Sequence, residues 1–370
     1  MICLLGQHFR FSYFKCSILA LFFCKNLLYS DQSPIVTSEL GDLESRIESV
    51  YNKYKSAVVR VKATKELISD GKSRRILKMG SGFFVSKDGH ILTTGLLQDP
   101  DRIWIEHESS FFLAERIGME GLCNLSLLKV DQKPNNFSFV PLGNTLEHER
   151  VGSMVVALTC ALEFQVGPTH GLIQSKEFSL GKKIFPTMML RCSLGLGPGE
   201  VGAPVFDLRG RFVGICHAAL PDLRSSFVLP RGACQRIRDD LVFSGSVDYG
   251  WFGVTTTKKL NNKSGFDIVV QSLVEGSPAS KSKLRSGDII KQIDGKTINQ
   301  QADLANISFF TRPDTIIEFL VRRGESVLKI PVKVTSRPQY TNSKQVVSEL
   351  EQNSSSSDVE KSQLKNLNDN

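Results

Sequence analysis

Gly199-Glu200-Val201-Gly202-Ala203-Pro204-Val205 is the stretch on which the reading of this chain turns. Two glycines and a proline punctuate it, and a strand-like run, Arg211–Ile215, follows. The surroundings share the same texture. From Ala57 to about Ala219 short β-like runs alternate with Gly, Pro and Asn breaks. Ala57–Val61, Gly82–Val85, Ile91–Thr94, Leu125–Val130 and Val151–Leu158 are further examples. Strands this short and frequent predict an all-β sandwich or barrel. An amphipathic helix near residues 40–54 precedes the region, with Leu40, Leu43, Ile47, Val50, Tyr51 and Tyr54 at helical spacing. A helical stretch, Gly232 to Phe243, closes it.

A second unit runs from about Gly250 to Val334. Strand-like segments at Phe266–Gln271, Ile289–Ile293, Thr315–Val321 and Val327–Val334 flank two expected helices, near Pro278–Leu284 and Gln301–Phe309. Beyond Ser336 the chain is rich in Ser, Asn, Gln and Lys and reads as a disordered tail. At the other end Arg10 and Lys15 precede the apolar run Cys16 to Cys24, with Tyr29-Ser30 after it. Residues 1–30 therefore read as an export signal or an uncleaved anchor, and the run is short for a bilayer span.

At 370 residues, 41% hydrophobic and 23% charged, the chain is long enough for two domains with sizeable cores. The net charge of +8 is not gathered into a basic stripe with interleaved aromatics, which argues against nucleic acid as a partner. Outside the leader stand Cys123, Cys160, Cys192, Cys216 and Cys234, odd in number and without a C-x-x-C. That spacing suggests neither a zinc site nor a full disulfide framework, and buried thiols are expected. No cofactor or metal is expected.

Three landmarks in order resemble the HtrA/Deg serine proteases. Gly80-Ser81-Gly82-Phe83-Phe84-Val85, then Asp88-Gly89-His90-Ile91-Leu92-Thr93-Thr94-Gly95-Leu96, resembles the segment leading to the general base. Cys123-Asn124-Leu125-Ser126-Leu127-Leu128-Lys129-Val130 resembles the segment of the orienting acid. Pro198–Val205 resembles the nucleophile loop, and Phe227-Val228-Leu229-Pro230 the strand before the closing helix. Tyr249–Val254, Gly276-Ser277-Pro278-Ala279, Ser286-Gly287-Asp288-Ile289-Ile290 and Ile293-Asp294-Gly295-Lys296 resemble a PDZ domain as found in that family. The resemblance covers about residues 40–335.

It implies a mostly β fold: a chymotrypsin-like double β-barrel over 57–245, an α+β PDZ domain over 246–336 and a tail over 337–370. Residues 31–56 form a linker and helix. It places Leu96 at the base, Asn124 at the acid and Val201 at the nucleophile. Leucine and valine cannot exchange protons, and an amide carries no charge, so no acyl-transfer route survives. The oxyanion donors, backbone N–H groups of the Gly199-Glu200-Val201 loop, do not depend on side chains, but Ala203 replaces a family glycine there. His90, His107, His148, His170 and His217 carry no partner signature, and Ser81, Ser193 and Cys123 read as structural. In the PDZ unit, Trp251, Phe252, Gly253 and Val254 are placed at the carboxylate-binding loop, where N–H groups hold a peptide C-terminus beside Val254–Thr256.

The function expected from this resemblance is non-catalytic binding of unfolded segments or protein C-termini in the periplasm or cell envelope. The alternatives are a regulatory subunit of a mixed oligomer with active relatives, and an active serine endopeptidase. A homo-oligomer is implied, trimers being usual for such proteins.

Overall fold

The computed structural model describes residues 34–69, 72–143, 149–181, 183–261 and 265–338. The expected leader, most of the expected tail and His148 lie outside these residues. Helix α1 (Pro34–Tyr54) leads directly into the first barrel. That barrel comprises β1 (Val58–Ser69), β2 (Lys72–Phe84), β3 (His90–Thr94), β4 (Arg102–His107), β5 (Ser110–Glu120) and β6 (Leu125–Val130). They close in the order β1-β2-β3-β6-β5-β4. The second comprises β7 (Met154–Thr159), β8 (Gly167–Leu180), β9 (Lys183–Cys192), β10 (Pro204–Asp207), β11 (Phe212–Leu220) and β12 (Ser225–Pro230). It closes in the order β10-β11-β12-β9-β8-β7. The expected double barrel is thus present, and closure leaves few sheet edges bare.

Each barrel has its own filling. Val59, Val61, Phe84, Ile91, Ile105 and Leu128 pack inside the first; Val155, Ala157, Leu190, Val205 and Val228 pack inside the second. A larger cluster lies between them and joins Phe83, Leu125, Leu158, Phe206 and Ile215 to helix α2 (Arg231–Ser244) through Ile237 and Leu241. The N-terminal helix belongs to this cluster. Its Val50 and Tyr54 are buried, and the Tyr54 ring stacks on Phe206 at 4.5 Å. Its apolar stripe is therefore spent on the second barrel, although its chain continues into the first.

The second unit contains β13 (Gly250–Trp251), β14 (Val254–Leu260), β15 (Phe266–Leu273), β16 (Ile289–Ile293), β17 (Lys296–Thr297), helix α3 (Gln301–Phe310), β18 (Ile316–Arg323), β19 (Ser326–Lys333) and β20 (Thr335–Ser336). The main sheet runs β14-β15-β16-β18-β19, so β14 is an end strand. Helix α3 also touches the second barrel: Asn306 Oδ1 accepts from Thr187 Oγ1 at 2.6 Å and from the Met188 N–H at 3.3 Å. Arg312 and Asp240 add an ion pair across the same junction at 2.7 Å.

One expected helix is absent. Residues 278–284 form successive turns. The Ser277 Oγ caps the first turn by accepting the Ser280 N–H at 3.1 Å, but the Ser282 Oγ accepts the Leu284 N–H at 3.1 Å, a donor that a continuing helix would give to the Ser280 carbonyl. Such local bonds compete with helix propagation. Among the described residues no helix is long and apolar enough to cross a membrane.

Candidate functional site

The three motif positions come from three loops at the seam of the barrels. β3 ends at Thr94, and the chain turns through Gly95 to Leu96. The Gly95 N–H donates to the Asn124 carbonyl at 2.8 Å, which ties this turn to the one entering β6. Asn124 holds that turn with φ of 50°, a left-handed value asparagine tolerates better than most residues. A methyl placed on Gly95 would lie 2.5 Å from Asn124 Oδ1. A methyl placed on Gly80 would lie 2.6 Å from Leu96 Cδ2 and 3.2 Å from the Val201 carbonyl oxygen. The Leu96 side chain and the Val201 main-chain carbonyl thus both border Gly80, and the Asn124 amide stands beside the residue preceding Leu96. A side chain at Gly80 would have to push the Leu96 methyl aside and would crowd the Val201 carbonyl. Neither hydrocarbon side chain can carry a proton, and the amide supplies no charge.

The loop below Val201 is bonded to both barrels. The Ser81 N–H donates to the Val201 carbonyl at 2.9 Å. The Ser81 hydroxyl donates to the Gly199 carbonyl at 2.9 Å and accepts the Cys160 N–H at 3.0 Å. Thr93 Oγ1 donates to the Ser81 carbonyl at 2.7 Å. Ser81 is fully buried, and its hydroxyl is committed on both sides, so the structural role expected for it holds. Gly202, with φ of 95°, packs so closely that a Cβ would stand 2.1 Å from the Ser81 oxygen. Ala203, by contrast, keeps an ordinary backbone angle, which is why alanine fits there. The Glu200 carboxylate folds under the loop, accepting the Thr159 hydroxyl at 2.6 Å and the Gly197 N–H. The parts played by Gly80 and Thr159 were not legible in the motifs, because both arise from contacts between distant loops.

Two of the described histidines, His90 and His107, are bonded elsewhere. His90 Nδ1 bonds the Ser86 hydroxyl at 2.8 Å within one turn; burial, then Lys129, lowers its pKa. His107 is buried, with Nε2 bonded to the Ser56 carbonyl at 2.9 Å. His217 lies at a bulge of β11, and burial, then Lys183, lowers its pKa. All five described cysteines are free and buried. Burial pushes the Cys160 and Cys192 thiols up to about 12 and raises Cys123, Cys216 and Cys234 as well. A nucleophilic thiolate is therefore disfavoured at each. Among the described residues no group of three or more His, Cys, Asp or Glu is arranged to hold a metal.

A second candidate surface lies on the other unit. Gly253 has φ of 75°, and a Cβ there would stand 2.1 Å from the Ser277 Cβ. The Phe252 carbonyl accepts the Ala279 N–H at 3.0 Å, and the Gly253 carbonyl accepts the Val274 N–H at 2.8 Å. In a trans peptide the following N–H points the opposite way, so the Gly253 and Val254 N–H groups are turned from these bonds toward the free edge of β14. The Trp251 ring lies against Gly253, its Cη2 within 3.2 Å of where a Cβ would be.

Comparison with known proteins agrees with this architecture. Residues 80–215 match the family described as trypsin-like peptidase domain, and residues 250–334 match the PDZ domain family. A probable periplasmic serine endoprotease DegP-like from Pseudomonas fulva (strain 12-X) is 31% identical over 281 residues, covering 72% of this chain and 58% of its own length. The protein of the same description from Ectopseudomonas mendocina (strain ymp) is 29% identical over 282 residues, covering 73% and 59%. The chain thus spans somewhat over half the length of these curated relatives. Among solved structures, the HtrA-type protease AlgW with a tripeptide has a TM-score of 0.67 at 22% identity, covering 80% of this chain and 99% of that one. A serine endoprotease from Yersinia pestis has a TM-score of 0.58 at 21% identity, covering 79% and 98%. The chain carries a trypsin-like peptidase domain followed by a PDZ domain, with DegP-like proteins as its homologues and HtrA-type proteases as its structural neighbours.

Proposed function

We propose that this chain is a non-catalytic HtrA-like protein that binds unfolded segments or protein C-termini, as a chaperone or scaffold of the cell envelope. The observation that carries the reading is that the Leu96 side chain and the Val201 main-chain carbonyl both border Gly80, with the Asn124 amide beside Gly95. Serine acyl transfer needs an imidazole to take a proton, a carboxylate to orient it and a hydroxyl to attack. These positions offer two hydrocarbons and an amide. Losing one member of such a unit costs orders of magnitude in rate, and losses within it are not additive. The nearby Ser81 hydroxyl is no substitute, because both its bonds hold backbone groups.

Peptide capture is supported by the Trp251–Val254 loop and by the open edge of β14, where an added strand finds main-chain partners. The relatives' description as periplasmic supports export to that compartment, and the apolar leader is consistent with it. Self-assembly, or assembly with active relatives, follows from the same kinship.

The test uses the purified full chain with a serine-directed fluorophosphonate, with casein, and with a thermally unfolding client. The expected results are no labelling, intact casein and suppressed aggregation of the client. Restoring Val201→Ser alone should give no peptide hydrolysis, since Leu96 and Asn124 still lack proton chemistry. Casein fragments from the native chain, or turnover by that single variant, would overturn the proposal.

A further inference from the structure

We infer that Gln301 is a built-in competitor for the peptide groove, a side-chain latch that a bound strand must displace. The inference rests on the peptide-capture reading above and adds a mode of control to it.

The outer edge of β14 has no strand beside it, since the sheet ends there. One of its carbonyls is nevertheless occupied. Gln301 Nε2 donates to the Thr256 oxygen. A carbonyl only accepts, so the NH2 end of the amide must face it. Gln301 is the first residue of α3, and its place is fixed from two sides. Behind it a capping box pairs Gln300 with Asp303, whose carboxylate accepts the Asn299 N–H at 2.8 Å and the Gln300 N–H at 3.1 Å. Further along, Asn306 ties the helix to Thr187 and Met188 of the second barrel. The reach from α3 to the strand is therefore set by the fold.

The position of the capped carbonyl gives the contact its meaning. Backbone groups alternate between the two edges of a strand, so residues two apart face the same way. A strand whose terminal carboxylate sits on the Gly253 and Val254 N–H groups would next require the outward carbonyl of Thr256. The primary amide of Gln301 offers the donor that the ligand's backbone N–H would offer. Ligand and latch therefore compete for one oxygen. The latch also covers an acceptor on an edge that would otherwise invite a foreign strand.

Removing the donor should tighten binding by the net worth of one neutral hydrogen bond, about two- to tenfold in Kd. The experiment takes a labelled decapeptide with a free carboxylate, chosen as the best binder to the native chain from an array. Its Kd is measured by fluorescence anisotropy for the full native chain, Gln301→Met and Gln301→Ala. The methionine keeps the length and bulk of the side chain without a donor. Tighter binding by both variants supports the latch. Native binding that both variants leave unchanged, or that either weakens, overturns the latch alone and leaves peptide capture standing. No array peptide retained by the native chain or by either variant would overturn both readings.

Discussion

Replacing Ser81 by alanine should loosen the joint between the barrels without touching any hydrophobic contact. The hydroxyl serves two backbone groups from different loops, the Gly199 carbonyl at 2.9 Å and the Cys160 N–H at 3.0 Å. Cys160 is only 3% exposed, so water has little access to replace the lost partner. A buried donor left without an acceptor costs about 1–3 kcal/mol. The Gly199 carbonyl is half-buried and should add less, up to about 1 kcal/mol. The expected loss is about 1–4 kcal/mol, which lowers Tm by roughly 3–12 °C for a domain of this size. Differential scanning fluorimetry and urea denaturation of the full chain would measure it. Ser193→Ala is the control, because its hydroxyl accepts the Leu172 N–H at an exposed position where water can substitute. That change should cost no more than about 0.5 kcal/mol. If Ser81→Ala is as mild as Ser193→Ala, the hydroxyl does not hold the loop and the argument for its structural role fails.

Two further outcomes follow from titrating groups. The Asp288 carboxyl is pushed up by burial, but the Arg323 guanidinium and the Arg285 N–H outweigh this and leave its pKa lowered. Asp267 is lowered too, first through its bond from Lys291. A carboxylate lowered on folding stabilises above its ordinary range, and that stability is lost as pH falls through the folded value. The PDZ unit should therefore hold steady from neutral pH to about 4 and weaken below it, as denaturation curves across pH would record. Asp288→Asn should flatten that slope. For the thiols, Cys160 and Cys192 sit at about 12 through burial. In the native chain at pH 8 they should react with a disulfide reagent only as fast as the barrels open, and at once in denaturant. Immediate native-state labelling of either would contradict the burial described.

The strands were most legible where β-branched and aliphatic residues pack against a core. Leu125–Val130 and Ile289–Ile293 fall on β6 and β16 residue for residue. The outer half of the β1–β2 hairpin was missed because Lys72–Lys78 carry basic and exposed side chains, with no alternation of polarity to mark a strand. Residues 278–284 were expected to be helical, but the Ser282 hydroxyl takes the Leu284 N–H and the turns go no further. At the site, Leu96, Asn124 and Val201 lie far apart in the chain, and no periodicity links them. Their convergence was legible only through resemblance to a family. Gln301 gave no signal, since its meaning lies in a contact with Thr256 on another element.

The stacking of Tyr54 on Phe206 has a consequence for the order of assembly. Helix α1 is made early in synthesis, yet the surface that covers its apolar stripe is complete only when β10 and β11 have closed the second barrel. Until then it can form no lasting contact, because a lone helix of this length is marginal in water. This early segment is thus among the last to dock, and it fastens a barrel to which its own strand does not belong. Any translocation machinery would meet an open, sticky helix ahead of an unfinished core, with a window for misassembly that shuts only when β11 has arrived.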